Sequence, residues 1–481
     1  MPLPVTARLR DACLLVAAVT LAAPRRATPQ VGSTTDIITG TVTGPDSQPI
    51  AGVVVQATSL ETQVSRSRAT DARGRFTIVF PDGGGQYQLV ARFVGMAPAR
   101  VTVARQADED RLVASIHMGS LAVPLEPVTV TARRTARGER PAPGSIERNL
   151  TPEQLARLPI DASDLNTLAT LAPGVVGFAG SDTTDAAFSV AGQRTTANNV
   201  TLDGLSFGSG SVPQDAIRNT RVVTSTYDVA RGQFSGGLVA STTRSGTNVP
   251  QGSYTYALRD RALAWGGPTS SPFGQGYTQN QLGGGMGGPI VPNRLFVFGA
   301  LQGRWRDQGL TALTTADPAT LERLGVSPDS AARFIALAQA AGAPITVPGL
   351  PSDRTNDNTV GLLRLDWKPT DGETLMLRFD GRWTSQDPTR LGALALPPTG
   401  GASSQHGGGV MASLTSYFGG TFINELRGYL STDRRDANAY VTLPAARVQV
   451  GSTLPGSARG IATLAFGGNA GFPQWSDARS V

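Results

Sequence analysis

The sequence predicts a mainly β chain: a small N-terminal β-sandwich, a compact α+β unit, then the first strands of a transmembrane antiparallel β-barrel. Three observations lead there. Short alternating runs punctuated by Gly, Pro and Asp turns fill residues 36–118. Residues 146–248 instead mix helix-start signals with short strands. From residue 250 onward, longer runs set charges on one face and aliphatic or aromatic residues on the other. Composition agrees: with 57 Gly, 33 Pro and 16% charged residues, the 481-residue chain is too apolar for disorder and too glycine-rich for a helical protein. The net charge of +6 comes from dispersed arginines, and Lys368 is the only lysine. That is a solvated mixed surface and gives no nucleic-acid-binding patch.

Residues 1–27 read as a signal peptide. Arg8 and Arg10 precede the apolar run "ACLLVAAVTLAA" at 12–23, which is too short for a helical span but suits an export signal. The only cysteine, Cys13, lies inside that run, so the exported protein contains no disulfide. No later stretch reaches eighteen apolar residues, the length a membrane-spanning helix needs.

In the sandwich region, "DIITGTVTGPDSQPIAGVVVQAT" predicts two strands around Gly44-Pro45-Asp46. "RATDARGRFTIVF" supplies a third strand, and "GGGQYQLVARFVGMAPARVTV" two more. Phe76, Ile78, Tyr87, Leu89, Phe93 and Val101 form the expected core. The order of these pieces resembles the regulatory-like domain of carboxypeptidases. A zinc hydrolase would need about three protein ligands, yet the chain has only His117 and His406, far apart and outside any zinc motif. No Gly-x-Ser-x-Gly elbow or Cys/His pair is present either. The expectation is no enzyme, with no catalytic residue, metal or cofactor.

Residues 119–145 form a linker that passes from a β-prone run into Arg/Pro/Gly-rich coil. Within it, Val128, Thr129, Val130 and Thr131 admit two readings: the sandwich's last strand, or a free strand waiting for a partner's sheet edge. In residues 146–248, Thr151, Pro152 and Gln154 mark one short helix. Ser163 caps a second, with Leu165, Leu168 and Leu171 on one face. Strands follow at "FSVAGQ", "NNVTLDG", "RVVTST" and "GGLVASTTRSGTN", with a short helix at "PQDAI". Asp203-Gly204 is a turn signal, and an aspartate there ordinarily satisfies donors inside its own turn. Its loss then costs about 0.5–2 kcal/mol, as for a helix cap.

Residues 250–481 supply the barrel strands. In "TLMLRFDGRWTS", Leu375, Leu377, Phe379, Gly381 and Trp383 share one face, with Arg378, Asp380 and Arg382 on the other. "GLLRLDWK" sets Leu363, Leu365 and Trp367 against Arg364, Asp366 and Lys368. Asp371-Gly372 is the expected turn between these runs, with Trp367 and Trp383 near opposite membrane interfaces. "GGGMGG" lacks the strand-then-helix context of a phosphate loop and reads as strand glycine. "SAARFIALAQAAG" predicts a helix inside a long insertion at 316–351.

The middle segments "FSVAGQRTTANNVTLDGLSF" and "PQDAIRNTRVVTSTYDVARGQFSGGLVASTTRSGTN" resemble the plug of TonB-dependent outer-membrane receptors. "QNQLGGGMGGPIVPNRLFVFGALQGRW" and "HGGGVMASLTSYFGGTFINELRGYL" resemble barrel strands of the subgroup bearing a carboxypeptidase regulatory-like domain. The resemblance covers roughly residues 36–435. It implies energy-coupled uptake of a scarce small ligand (siderophore, oligosaccharide or peptide) across the Gram-negative outer membrane, with the N-terminal domains periplasmic. It also implies that Val128, Thr129, Val130, Thr131 and Ala132 contact TonB, and that Asp203 and Gly204 form a structural turn of the plug. About seven strands are legible after residue 250, far short of a barrel of about 22 strands, and the end "QWSDARSV" lacks an aromatic terminal strand. The expectation is a C-terminally truncated receptor in contact with outer-membrane lipid. The alternative is a surface carbohydrate-binding or adhesion protein acting through the sandwich.

Overall fold

A computed structural model describes residues 36–80, 85–105, 111–119, 147–150, 163–178, 187–208, 211–224, 236–263, 277–370, 372–418, 422–468 and 478–480. The signal-peptide segment, Val128, Thr129, Val130, Thr131, Ala132, the Thr151 helix and Asp371 lie outside these residues.

The alternating N-terminal runs form a sandwich of seven strands. β1 (Asp36–Thr43) lies between β4 (Arg75–Phe80) and β7 (Arg111–His117) in one sheet. The other sheet runs β3 (Ser65–Ala69), β2 (Val54–Ser59), β5 (Gln86–Arg92), β6 (Ala99–Ala104). Phe76, Ile78, Tyr87, Leu89 and Val101 are buried between the two, as their period of two requires. Phe93 is the exception. It continues the parity of Tyr87 and Leu89, but β5 ends at Arg92 and Phe93 sits exposed before the turn at Gly95 (φ +84°).

The middle unit is a five-stranded sheet ordered β12 (Leu205–Ser206), β11 (Asn199–Leu202), β14 (Leu238–Thr243), β13 (Ile217–Val223), β8 (Glu147–Leu150). A two-stranded ribbon, β9 (Val175–Phe178) with β10 (Ala187–Val190), and helix α1 (Leu165–Ala169) accompany it. The cap of α1 is Asp164 rather than Ser163. Its carboxylate accepts from the Asn166 amide at 2.9 Å, a stronger interaction than a hydroxyl would make. Leu165 and Leu168 are buried against Phe188, Leu202 and Val239.

The third element is an eight-stranded sheet. It runs β15 (Gln251–Arg259), β16 (Tyr277–Val291), β17 (Leu295–Gly309), β18 (Asp353–Trp367), β19 (Glu373–Thr389), β20 (Gly401–Phe418), β21 (Phe422–Ala439) and β24 (Ala478–Ser480). Every neighbouring pair is antiparallel, so the sheet resembles part of a barrel wall. Six strands have 15 to 18 residues, beyond the 9–11 or so that cross a bilayer. A separate hairpin, β22 (Ala445–Thr453) with β23 (Arg459–Gly467), packs with helices α2 (Pro318–Arg323) and α3 (Pro328–Ala340). This hairpin and short β24 account for the strands that alternation alone did not reveal. Among the described residues no helix is long and apolar enough to cross a membrane.

Burial on the large sheet is inverted relative to a water-soluble protein. On β18 and β19 the buried side chains include Arg364 (2% exposed), Arg378 (1%) and Arg382, while Trp367, Phe379 and Trp383 (51%) are exposed. The exposed residues align across strands: Leu363 opposes Phe379, and Phe379 opposes Val410. Leu375 and Leu377 lie on this outer face with the Trp367–Trp383 row, as the alternation predicts.

Candidate functional site

The inner face of the large sheet closes on the middle unit. The unit reaches β15 through Asp215, whose Oδ1 accepts from Ser253 Oγ at 2.5 Å, and β17 through the Gln214 amide, which donates to Gln302 Oε1 at 2.9 Å. The glycine run of β16 makes this approach feasible: a Cβ on Gly285 would press to 3.1 Å from both Asp215 and Phe298. Farther round, Phe207 stacks near Tyr429 of β21, with ring centroids 6.2 Å apart.

The densest contact is ionic. Leu202, Asp203, Gly204 and Leu205 form the tight turn between β11 and β12, with φ of +52° at Asp203 and +85° at Gly204. The turn is as expected, but its side-chain bonding is not. The Asp203 carboxylate leaves the turn to accept from the Thr243 amide (2.8 Å) and hydroxyl (3.0 Å) on β14, and from Arg378 Nη1 at 2.6 Å on β19. Arg364 of β18 stands 3.9 Å away and donates through Nη1 to the Thr243 carbonyl at 3.0 Å. From β21, Arg427 Nη1 donates to the Asp203 carbonyl at 3.3 Å.

The register explains the convergence. Arg364 and Arg378 are direct partners across β18 and β19, and each has an aspartate two residues on, on the same face. Arg364 forms a two-pronged pair with Asp366 at 2.9 Å, and Arg378 Nε lies 3.4 Å from Asp380. Tyr429 donates to Asp380 at 2.9 Å, and its ring lies 5.2 Å from the Arg378 guanidinium. Two adjacent guanidiniums repel one another, and Asp203 supplies the third carboxylate that joins them. Burial alone pushes the Asp203 carboxyl upward, but Arg378, Arg364 and the Thr243 amide hold it below the ordinary carboxylate range.

The Arg-x-Asp pattern in "LRLD" and "LRFD" was the sequence signal for this cluster. Alternation identified its face, but the pairing of two such motifs in register with an aspartate 160 or more positions earlier is a tertiary fact. Gly204 is the turn's other constrained position. Its φ favours glycine, and a Cβ there would overlap the Arg427 guanidinium. Gly204→Val is therefore expected to lower stability by about 1–3 kcal/mol in denaturant unfolding. An unchanged midpoint would show that the turn tolerates a β-branched residue.

Residues 37–119 match the family described as carboxypeptidase regulatory-like domain, and residues 242–356 match the outer membrane beta barrel domain. The chain thus joins a carboxypeptidase regulatory-like domain to an outer membrane β-barrel domain. The barrel-domain match spans β15 to the start of β18, the part of the sheet with the glycine run and the Gln302 contact. No curated protein matches the chain.

Among solved structures it is similar to the outer membrane transporter YddB from Escherichia coli, at 14% identity and a TM-score of 0.40 over 66% of this chain. It is also similar to the siderophore receptor PiuA from Acinetobacter baumannii, at 10% identity and 0.38 over 67%. The chain spans 42% and 53% of those two proteins, respectively. The 3-chlorocatechol 1,2-dioxygenase from Rhodococcus opacus 1CP matches 23% of this chain and 78% of its own length, at 12% identity and 0.16.

Proposed function

We propose that the chain belongs to a TonB-dependent outer-membrane receptor that takes up a scarce small ligand, with residues 146–248 serving as its plug. The observation that supports this reading most is the Asp203–Arg378–Arg364 cluster. A unit fastened to the polar inner face of an apolar-out sheet by a buried ion network is a stopper with a defined seat. Such a seat holds the pore closed at rest, and its release needs work supplied from outside the barrel. On this reading the sandwich and linker are periplasmic, and Val128, Thr129, Val130, Thr131 and Ala132 form the strand that TonB pairs with.

The coupling strand provides the test. Val130→Pro removes a backbone donor from the pairing strand. In the full receptor it is expected to abolish energy-dependent uptake and crosslinking of this segment to TonB while leaving barrel assembly intact. Unchanged crosslinking and uptake would overturn the assignment.

A further inference from the structure

A cavity lies where the sandwich meets the large sheet. The edge strand β3 faces two hairpin turns, one between β16 and β17 and one between β18 and β19. Between them is a cavity of about 260 Å³ whose lining includes Ser65, Arg66 and Ser67 of β3 and Arg294, Lys368 and Thr370 of the turns. Among the described residues, no carboxylate lines it.

The walls are held in place from both sides. Arg66 Nη1 donates to Thr374 Oγ1 at 3.1 Å, and the guanidinium lies 5.5 Å from the Phe80 ring. Its Nε is buried and, among the described residues, has no hydrogen-bond partner. The Lys368 amide donates to the Arg294 carbonyl at 2.7 Å, tying the two turns together. The Ser65 amide donates to Asn293 Oδ1 at 3.2 Å, tying the sandwich to the first turn.

Three cationic and three hydroxyl-bearing residues line one concavity, and the positive field they create suits a compact anion with several acceptor oxygens. Guanidinium forks and an ammonium point charge are the usual partners of such an anion. We infer that this cavity is a binding site for a phosphate-class oxyanion. Two sources supply that chemistry, free phosphate and the headgroup of an anionic lipid. Lys368 follows Trp367, which is exposed on the sheet's outer face where an aromatic girdle meets headgroups.

Because Lys368 is the only lysine, amine acylation reads this site directly. In the full chain folded in zwitterionic micelles, millimolar inorganic phosphate is expected to slow acylation of the Lys368 peptide several-fold. The reference is chloride at equal ionic strength, with mass spectrometry as the readout. In a second arm, phosphatidylglycerol vesicles are compared with phosphatidylcholine vesicles. Protection by phosphate identifies the free ion, and protection by phosphatidylglycerol alone identifies the headgroup. Arg66→Gln and Arg294→Gln should each lose the protection while keeping the far-ultraviolet circular dichroism of the parent, and Arg66→Lys should retain part of it. Equal acylation under all four conditions overturns the site, as does protection that persists in both glutamine variants.

Discussion

Asp203→Ala is expected to lower the stability of the folded chain by about 3–5 kcal/mol, the cost of breaking a buried ion pair from one side. This exceeds the turn-local figure because the carboxylate serves the barrel wall. Its removal leaves Arg378 and Arg364 buried beside each other, with Asp366 and Asp380 as their carboxylate partners among the described residues. Denaturant unfolding followed by tryptophan fluorescence measures the loss. A cost under about 1 kcal/mol would return Asp203 to the role of a local turn residue.

The pH dependence has a definite sign. The folded carboxyl titrates below its unfolded value, so its contribution is fully present above about pH 4 and is lost as pH falls through the folded value. The stability gap between the parent and Asp203→Asn should therefore stay constant from neutrality to about pH 4 and close only below it.

Phe379→Arg carries the second large effect. Phe379 sits on the outer face midway between Leu375 and Trp383, opposite Leu363 and Val410. An arginine at the bilayer midplane of a barrel costs about 2–4 kcal/mol, and one near the interface about 0–1. In phospholipid vesicles, Phe379→Arg should be destabilised by the larger amount. Ser385→Arg, on the same face beyond Trp383, should change little. Equal and small effects at both positions would mean that this face contacts water and not lipid.

Much of this was legible from local pattern. The period-two alternation in "LRLDW" and "LRFDGRW" identified which side chains share a face, because a strand leaves no other choice. Asp203-Gly204 was legible as a turn because few residue pairs accept two successive positive φ values. Errors arose where alternation ran past an element's end or where a cap had neighbouring rivals. Phe93 kept the right parity beyond the last residue of β5, and Asp164 outcompeted Ser163 by its charge.

The sequence by itself determined the β character of the chain and the polar and apolar faces of the long strands. Only the tertiary structure decided what the polar face is for. Register placed Arg364 opposite Arg378, and the fold of the middle unit delivered Asp203 between them. Side-chain periodicity is a property of a few consecutive residues, so it can be read locally. The partner of a buried charge is chosen by packing between segments far apart in the chain, and no local pattern carries that information.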